Sequence, residues 1–341
     1  MTHRAFLPAL ALACCSLSLS PAYASHHLAR EVKLPGNDGW DYLAFDGSNG
    51  KLFVSHGTHV EVLDTARLVL AGSIANTPGV HGIAIARDLG RGYVSAGAAS
   101  SVVVFDLKSL ARLAEVKTTG ENPDAILYEQ HTHRVFTFNG RGHNVTAIDA
   151  RTNTVVGTIS LDAKPEFAVS DDAGNVFVNL EDKNSIAELD PRKLTVTAVW
   201  HLAACDEPSG LAIDRAHHRL FSVCSNRIME IVDATNGHSV AQVPIGEGVD
   251  GAAFDGGAQL AFASGGDGTL TIVREDAPDK YSVLETVRTR PGARTLTLDE
   301  KTHRVYLSTA QRAAAPAPVA GQPRQRPSIV PDTFEVLVVE P

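Results

Sequence analysis

Apolar residues in this chain come in short runs, separated at regular intervals by polar or Gly-rich turns. In one stretch Ala125-Ile126-Leu127-Tyr128 is closed by a polar turn running to His133. Val135-Phe136-Thr137-Phe138 follows, then the turn Asn139-Gly140-Arg141-Gly142. Val145-Thr146-Ala147-Ile148-Asp149 and Thr154-Val155-Val156-Gly157-Thr158-Ile159 complete the set. β-Branched and aromatic residues fill the runs, and Gly, Asn or Asp bound them, which predicts four strands joined by hairpins. No stretch of helical length carries a 3.6-residue apolar period, so the pattern opposes an α-solenoid.

The unit is copied along the chain. An aromatic recurs at Phe53, Tyr93, Phe136, Phe177, Phe221, Phe262 and Tyr306, in steps of 40, 43, 41, 44, 41 and 44 residues. Asp64, Asp106, Asp149, Asp190 and Asp233 keep the same beat, with steps of 42, 43, 41 and 43. Four antiparallel strands per repeat of this length make the blade of a β-propeller. Inner strands starting near Tyr42, Gly82, Ala125, Phe167, Gly210, Gly251 and Thr295 predict seven blades. The last blade has its third strand near 334–339 and lacks a fourth, while residues 28–34 form an orphan strand. That segment is expected to complete the last blade, closing the ring and covering open sheet edges. The fold class predicted is therefore all-β, a seven-bladed propeller occupying 25–341 as one domain. The Pro- and Ala-rich segment 310–331 reads as a flexible insertion in it.

Residues 1–24 fall outside that rhythm. A weakly basic start (His3, Arg4), an apolar stretch over 5–19 and Ala22-Tyr23-Ala24 form the pattern of a cleaved signal peptide. The stretch is too short for a membrane span, and no transmembrane segment is expected elsewhere. The expected location is the periplasm or outside the cell. There Cys205, in the loop leading into the fifth blade, and Cys224, ending its second strand, are expected to form a disulfide.

The formal charge is −9, and no segment clusters Lys and Arg with aromatics. Binding to duplex nucleic acid needs a concentrated positive surface, so no such partner is expected. The expected partner is a small molecule or a periplasmic or envelope protein.

Propeller topology sorts the loops by face. The His-rich turns His131-Thr132-His133, His217-His218 and His303 fall on the back face, each preceding an Arg, where turn chemistry accounts for them. One residue per blade should stand at the mouth of the central channel on the front face: Asp41, His81, Asp124, Glu166, Ser209, Asp250 and Arg294. Four of these seven are carboxylates. Their convergence costs repulsion that a bound cation or cationic ligand would relieve, and that Arg294 could also offset. Front hairpins add His56, His59, Asn139, His143, Asn179, Glu181, Asp182, Asn226 and Asp267. Imidazole with carboxylate suits Zn²⁺ or Mn²⁺, and carboxylate with Asn suits Ca²⁺. The candidate ligands for one such divalent cation are Asp41, His56, His59, His81, Asp124, Glu166, Asn179 and Asp250; the alternative is a water-filled polar funnel. No Gly-x-Ser-x-Gly elbow and no phosphate-cradling loop is present, and Ser209 has no base beside it in sequence.

Tyr93-Val94-Ser95-Ala96, Phe53-Val54-Ser55-His56 and Phe177-Val178-Asn179, each followed by a strand ending in Asp, resemble the YVTN-type β-propeller repeat family. Asn122-Pro123-Asp124-Ala125 and Glu207-Pro208-Ser209-Gly210 match that family's Pro and polar residue ahead of the inner strand. The resemblance implies an extracytoplasmic seven-bladed disc and a binding or surface role, and it fixes no catalytic set. Similar discs serve as lactonases, some metal-dependent through Glu, Asn and Asp at the channel mouth, a set that Glu166, Asp124, Asp250 and Asn179 could imitate.

The chain therefore reads as an exported binding or scaffold protein that uses an acidic front funnel, with no catalytic residues assigned. A metal-dependent hydrolase of lactonase type is the alternative.

Overall fold

In a computed structural model, which describes residues 25–315 and 327–341, each run of the third repeat is a strand. Pro123–Glu129, Arg134–Asn139, Asn144–Asp149 and Thr154–Ser160 pair in chain order into one antiparallel sheet. Six of the seven sheets follow this order. In the seventh, the N-terminal strand His27–Lys33 pairs with the C-terminal strand Glu335–Glu340, outside Arg304–Thr309 and Leu296–Asp299. The orphan strand thus completes the last blade. Each inner strand lies against the inner strands of both neighbouring blades, and those of the first and last blades meet, closing the ring.

The two sequence rhythms have separate physical causes. All seven repeating aromatics are fully buried. Each sits in the second strand of its blade and packs into a core shared with the next blade. Phe136 packs with Ala168, Val176 and Val178 of blade four, and Tyr306 of blade seven with Leu43 and Val54 of blade one. The ring is held by these shared cores, and each buried aromatic contributes about 1.5–3 kcal/mol. The repeating Asp residues instead close turns. Asp106 Oδ1 accepts from the backbone N–H groups of Lys108 and Ser109, and Asp149 Oδ1 from those of Arg151 and Thr152. Asp64 and Asp190 make the same pair of bonds. A carboxylate accepting at the head of each of these turns fixes strand exit, which accounts for its period.

The stem of the 310–331 segment is a paired ribbon: Ala313 N–H donates to Ser328 at 2.9 Å and Val330 N–H to Gln311 at 2.9 Å. Arg312 lies over the Trp40 ring, 5.0 Å from its centroid. Residues 316–326, and the segment 1–24 read as a signal peptide, lie outside the described residues. Among the described residues no helix is long and apolar enough to cross a membrane.

Candidate functional site

The front ring is built by a recurring irregularity. In blades two to six the register of the inner strand slips just after its first residue, as between Pro123 and Ile126 or Pro165 and Ala168. His81, Asp124, Glu166, Ser209 and Asp250 lie in those slips, where a bulge re-aims a side chain. Asp41 and Arg294 precede the shorter inner strands Leu43–Asp46 and Leu296–Asp299.

Short polar side chains fix this backbone from the preceding blade. Ser95 Oγ donates to the Asp124 carbonyl at 2.5 Å, Ser264 Oγ to that of Arg294 at 2.5 Å, and Thr295 Oγ1 to that of Asp41 at 2.7 Å. Asn179 does the same work, its Nδ2 reaching the carbonyls of Ser209 (2.9 Å) and Gly210 (3.1 Å) while its Oδ1 accepts from Ser222. Its amide is thereby committed to the backbone of blade five. Ser209 Oγ donates to the Val249 carbonyl at 3.1 Å.

The charged members of the ring meet one another. His81 Nδ1 donates to Asp41 Oδ2 at 2.6 Å and lies 3.5 Å from Asp124 Oδ1. Arg294 Nε forms an ion pair with Asp250 Oδ2 at 2.8 Å, and its Nη2 lies 3.6 Å from Asp41 Oδ1. Lys164, which the one-residue-per-blade reading passes over, sits 2.7 Å from Glu166 Oε1 and also pairs with Glu181. Beneath the ring, Tyr42 of blade one and Phe167 of blade four meet with ring centroids 5.2 Å apart. Blades one and four are not neighbours, so this contact spans the bore.

Burial raises the carboxyls of Asp124, Glu166 and Asp250 to about 7, and neighbouring carboxylates add to the shift against the partial relief of His81, Lys164 and Arg294. Burial disfavours the charged His81 ring, but the Asp41 hydrogen bond and the Asp124 and Asp41 charges outweigh it and raise its pKa to about 9. The Tyr42 hydroxyl is held well above its ordinary value by burial and by Asp250, Asp124, Asp41 and Glu166 together. The ring is therefore an acidic cluster in which burial and mutual repulsion resist ionisation of Asp124, Glu166 and Asp250, with the His81 imidazole between Asp41 and Asp124.

Three groups of His and carboxylate residues bring potential metal-ligand atoms within 4.8 Å of one another among the described residues: Asp41 with His81 and Asp124, His56 with His59 and Glu61, and Asp214 with His217 and Glu275. The set of sequence candidates thus divides. His56 and His59 lie in the first hairpin, away from the ring, and their third member, Glu61, was not anticipated. The ring group fits a cation only when His81 gives up its proton.

Other front-hairpin residues hold the loops. Asp182 Oδ1 accepts from Lys164 N–H at 2.8 Å, Asp267 Oδ2 from Glu247 N–H at 3.0 Å, and Asn226 Nδ2 donates to the Ala204 carbonyl at 2.8 Å. Asn139 Nδ2 donates to Asn144 Oδ1 at 2.7 Å, and His143 is exposed. On the back face His133, His218 and His303 occupy left-handed turn positions with φ of 51°, 55° and 59°. His217 and His303 donate to Asp214 and Asp255, each at 2.6 Å. Cys205 and Cys224 are joined by a disulfide, their Cα atoms 5.3 Å apart. A cavity of about 750 Å³ opens beside the last blade, off the ring, lined in part by Arg290, Arg312 and Glu335. Its charges are largely matched, with Arg290 on Glu31 (2.6 Å) and Lys33 on Glu335 (2.7 Å).

No family model and no curated protein matches the sequence. The fold is similar to solved structures of low identity. One described as the structure of U3-55K shares 9% identity at a TM-score of 0.74, covering 90% of this chain and 97% of that one. One described as the RRP9 WD40 repeats shares 9% at 0.75, covering 91% and 97%. One of Kuenenia stuttgartiensis hydrazine synthase shares 18% at 0.69, covering 80% and 94%. At these identities the likeness establishes the propeller fold alone.

Proposed function

We propose that this protein is an exported binding or scaffold disc that holds a ligand or partner by a cationic group in its front funnel. The observation that carries this reading is the convergence of Asp41, Asp124, Glu166 and Asp250 on Tyr42, with three of the four carboxyls raised to about 7. Burial is the main cause of these shifts and repulsion among the carboxylates adds to it, so a cation entering the cluster would displace protons and form ion pairs. The Tyr42–Phe167 contact lies across the bore beneath the ring, which suits capture from the front face. Export rests on the sequence pattern of residues 1–24 and agrees with the Cys205–Cys224 disulfide. The YVTN-type assignment of the repeats rests on their own residues.

A thermal-shift series with choline, spermidine and Ca²⁺ tests the reading. Stabilisation by at least one probe, lost in Asp124→Ala and Glu166→Ala variants that still fold, supports it. No response to any of them, or a response unchanged in both variants, counts against it.

A lactonase-type hydrolase is the second reading, favoured by the approach of Asp41, His81 and Asp124. Bound there, a cation would supply Lewis-acid polarisation of a carbonyl. Glu166, on Lys164, and Asn179, on backbone carbonyls, have other partners. Lactone hydrolysis that survives exhaustive chelation would remove this reading.

A further inference from the structure

The hairpin of blade one carries a second chemistry, independent of the ring. His56 ends the strand Lys51–His56 and His59 begins the strand His59–Asp64. The two are direct cross-strand partners, so their side chains leave the sheet on the same side. Glu61, two residues beyond His59, shares that side by the two-residue period of a strand. That side faces the seam where blade one meets blade seven. There the His56 ring stacks on Phe334, with centroids 4.1 Å apart and planes at 22°. Gly36 passes over the same ring so closely that a Cβ there would lie 2.5 Å from His56 Cε1.

His56 is fully buried; the Asp38 backbone approaches its ring as a weak partner, and neither ring nitrogen makes a well-formed hydrogen bond. Glu61 Oε1 meets His59 Nε2 at 3.1 Å, while Glu61 Oε2 is buried without a partner. Native proteins rarely leave buried polar groups unmatched, and each such group calls for an explanation. Here the poorly matched His56 ring, the partnerless Oε2 of Glu61 and the half-exposed His59 face one another, with ligand atoms all within 4.8 Å. Ser, Asn or water partners would suit a structural histidine; two imidazoles and a carboxylate suit a metal ion.

We infer that His56, His59 and Glu61 form a site for a divalent first-row transition metal ion, of the Zn²⁺ type, with a fourth position left to water. Two His and one carboxylate are a common donor set for Zn²⁺, at metal–ligand distances of about 2.0–2.2 Å. Closing on an ion requires His59, at the hairpin tip, to turn inward toward His56, which the surrounding packing holds. All three ligands come from one hairpin, so the site needs no movement between blades. The ring group is a poorer host for such an ion because His81 already bridges two carboxylates with its proton. The Asp214, His217 and Glu275 group on the back face offers a single imidazole.

The experiment is a titration of untagged, chelator-treated protein with Zn²⁺ against a chromophoric chelator, with Co²⁺ absorption reporting the coordination. The expected result is one Zn²⁺ per chain, with affinity falling by about 100-fold or more in both His59→Ala and Glu61→Gln, since even outer-shell changes cost about 10–100-fold. Glu61→Gln keeps the shape of the side chain and so separates loss of a ligand from loss of the fold, which a melting curve checks. His217→Ala is expected to bind as the wild type does. Absence of Zn²⁺ binding by the folded protein would overturn the site. So would binding retained in His59→Ala and Glu61→Gln, or binding lost instead in His217→Ala or in Asp124→Ala of the ring.

Discussion

Tyr42 and Phe167 meet across the channel with tilted rings, 5.2 Å between ring centroids, from two blades that share no side. Each follows a ring carboxylate in sequence, Asp41 and Glu166, so the same two backbone segments supply an acid to the funnel and an aromatic to its floor. Tyr42 lies close to all four ring carboxyls, and burial is the largest cause of the raised pKa values of Asp124, Glu166 and Asp250. Tyr42→Ala should therefore cost about 3–5 kcal/mol of stability, as for other large-to-small aromatic changes. It should also let the ring carboxyls ionise at lower pH. Urea unfolding and a carboxyl titration by NMR read the two effects.

The ring makes stability depend on pH in a defined direction. Asp124, Glu166 and Asp250 have pKa values raised from the ordinary carboxyl range to about 7, so their contribution is complete below about pH 4 and is lost as pH rises through 7. His81 is raised from 6.5 to about 9, so its contribution is complete below 6.5 and is lost as pH rises through 9. Both shifts act the same way, and the groups facing them are Asp41, Glu181, Arg294, Lys164 and Tyr42. The melting temperature should fall between pH 5 and pH 9, and Asp124→Asn with Asp250→Asn should flatten that slope. A steeper slope in the double variant would contradict the assignment.

The inter-blade aromatics should behave alike, because each fills the same kind of seam. Phe136→Ala and Phe221→Ala are expected to destabilise by about 3–5 kcal/mol each. Chemical denaturation measures this, and a cost near zero at either position would mean that the seam is not where the ring is held.

Reducing the Cys205–Cys224 disulfide, which spans 19 residues, should lower stability by about 3 kcal/mol in the chain-entropy account. Intact mass with and without reductant should differ by two hydrogens, and denaturation of the Cys205→Ser, Cys224→Ser double variant should reproduce the loss.

The architecture was legible because its signals are local and repeated. Phe136 and its six equivalents mark the seams, Asp149 and its equivalents mark the turns, and the ring positions follow from the Pro or polar residue ahead of each inner strand. Ring closure by the N-terminal strand was readable from one missing strand and one spare. What escaped were relations across blades. Lys164 is two residues from a ring position and was hidden by counting one residue per blade. Tyr42 reads as an ordinary inner-strand aromatic until Phe167 is seen opposite it. Asn179 has the chemistry of a metal ligand, but the carbonyls of Ser209 and Gly210 from the next blade take up its amide. Glu61 gave no usable sign, because the strand His59–Asp64 is buried on both faces and the equivalent positions Thr146 and Glu230 are polar as well.

The central claim, that the funnel is an acidic cup for a cationic group, is tested most directly by calorimetric titration of spermidine at pH 7 in two buffers of different ionisation heat. Binding should release protons, because a cation lowers carboxyls that rest near 7, and both the heat and the release should vanish in Asp124→Ala. Binding with no proton release, binding untouched by Asp124→Ala, or no binding at all would contradict the account.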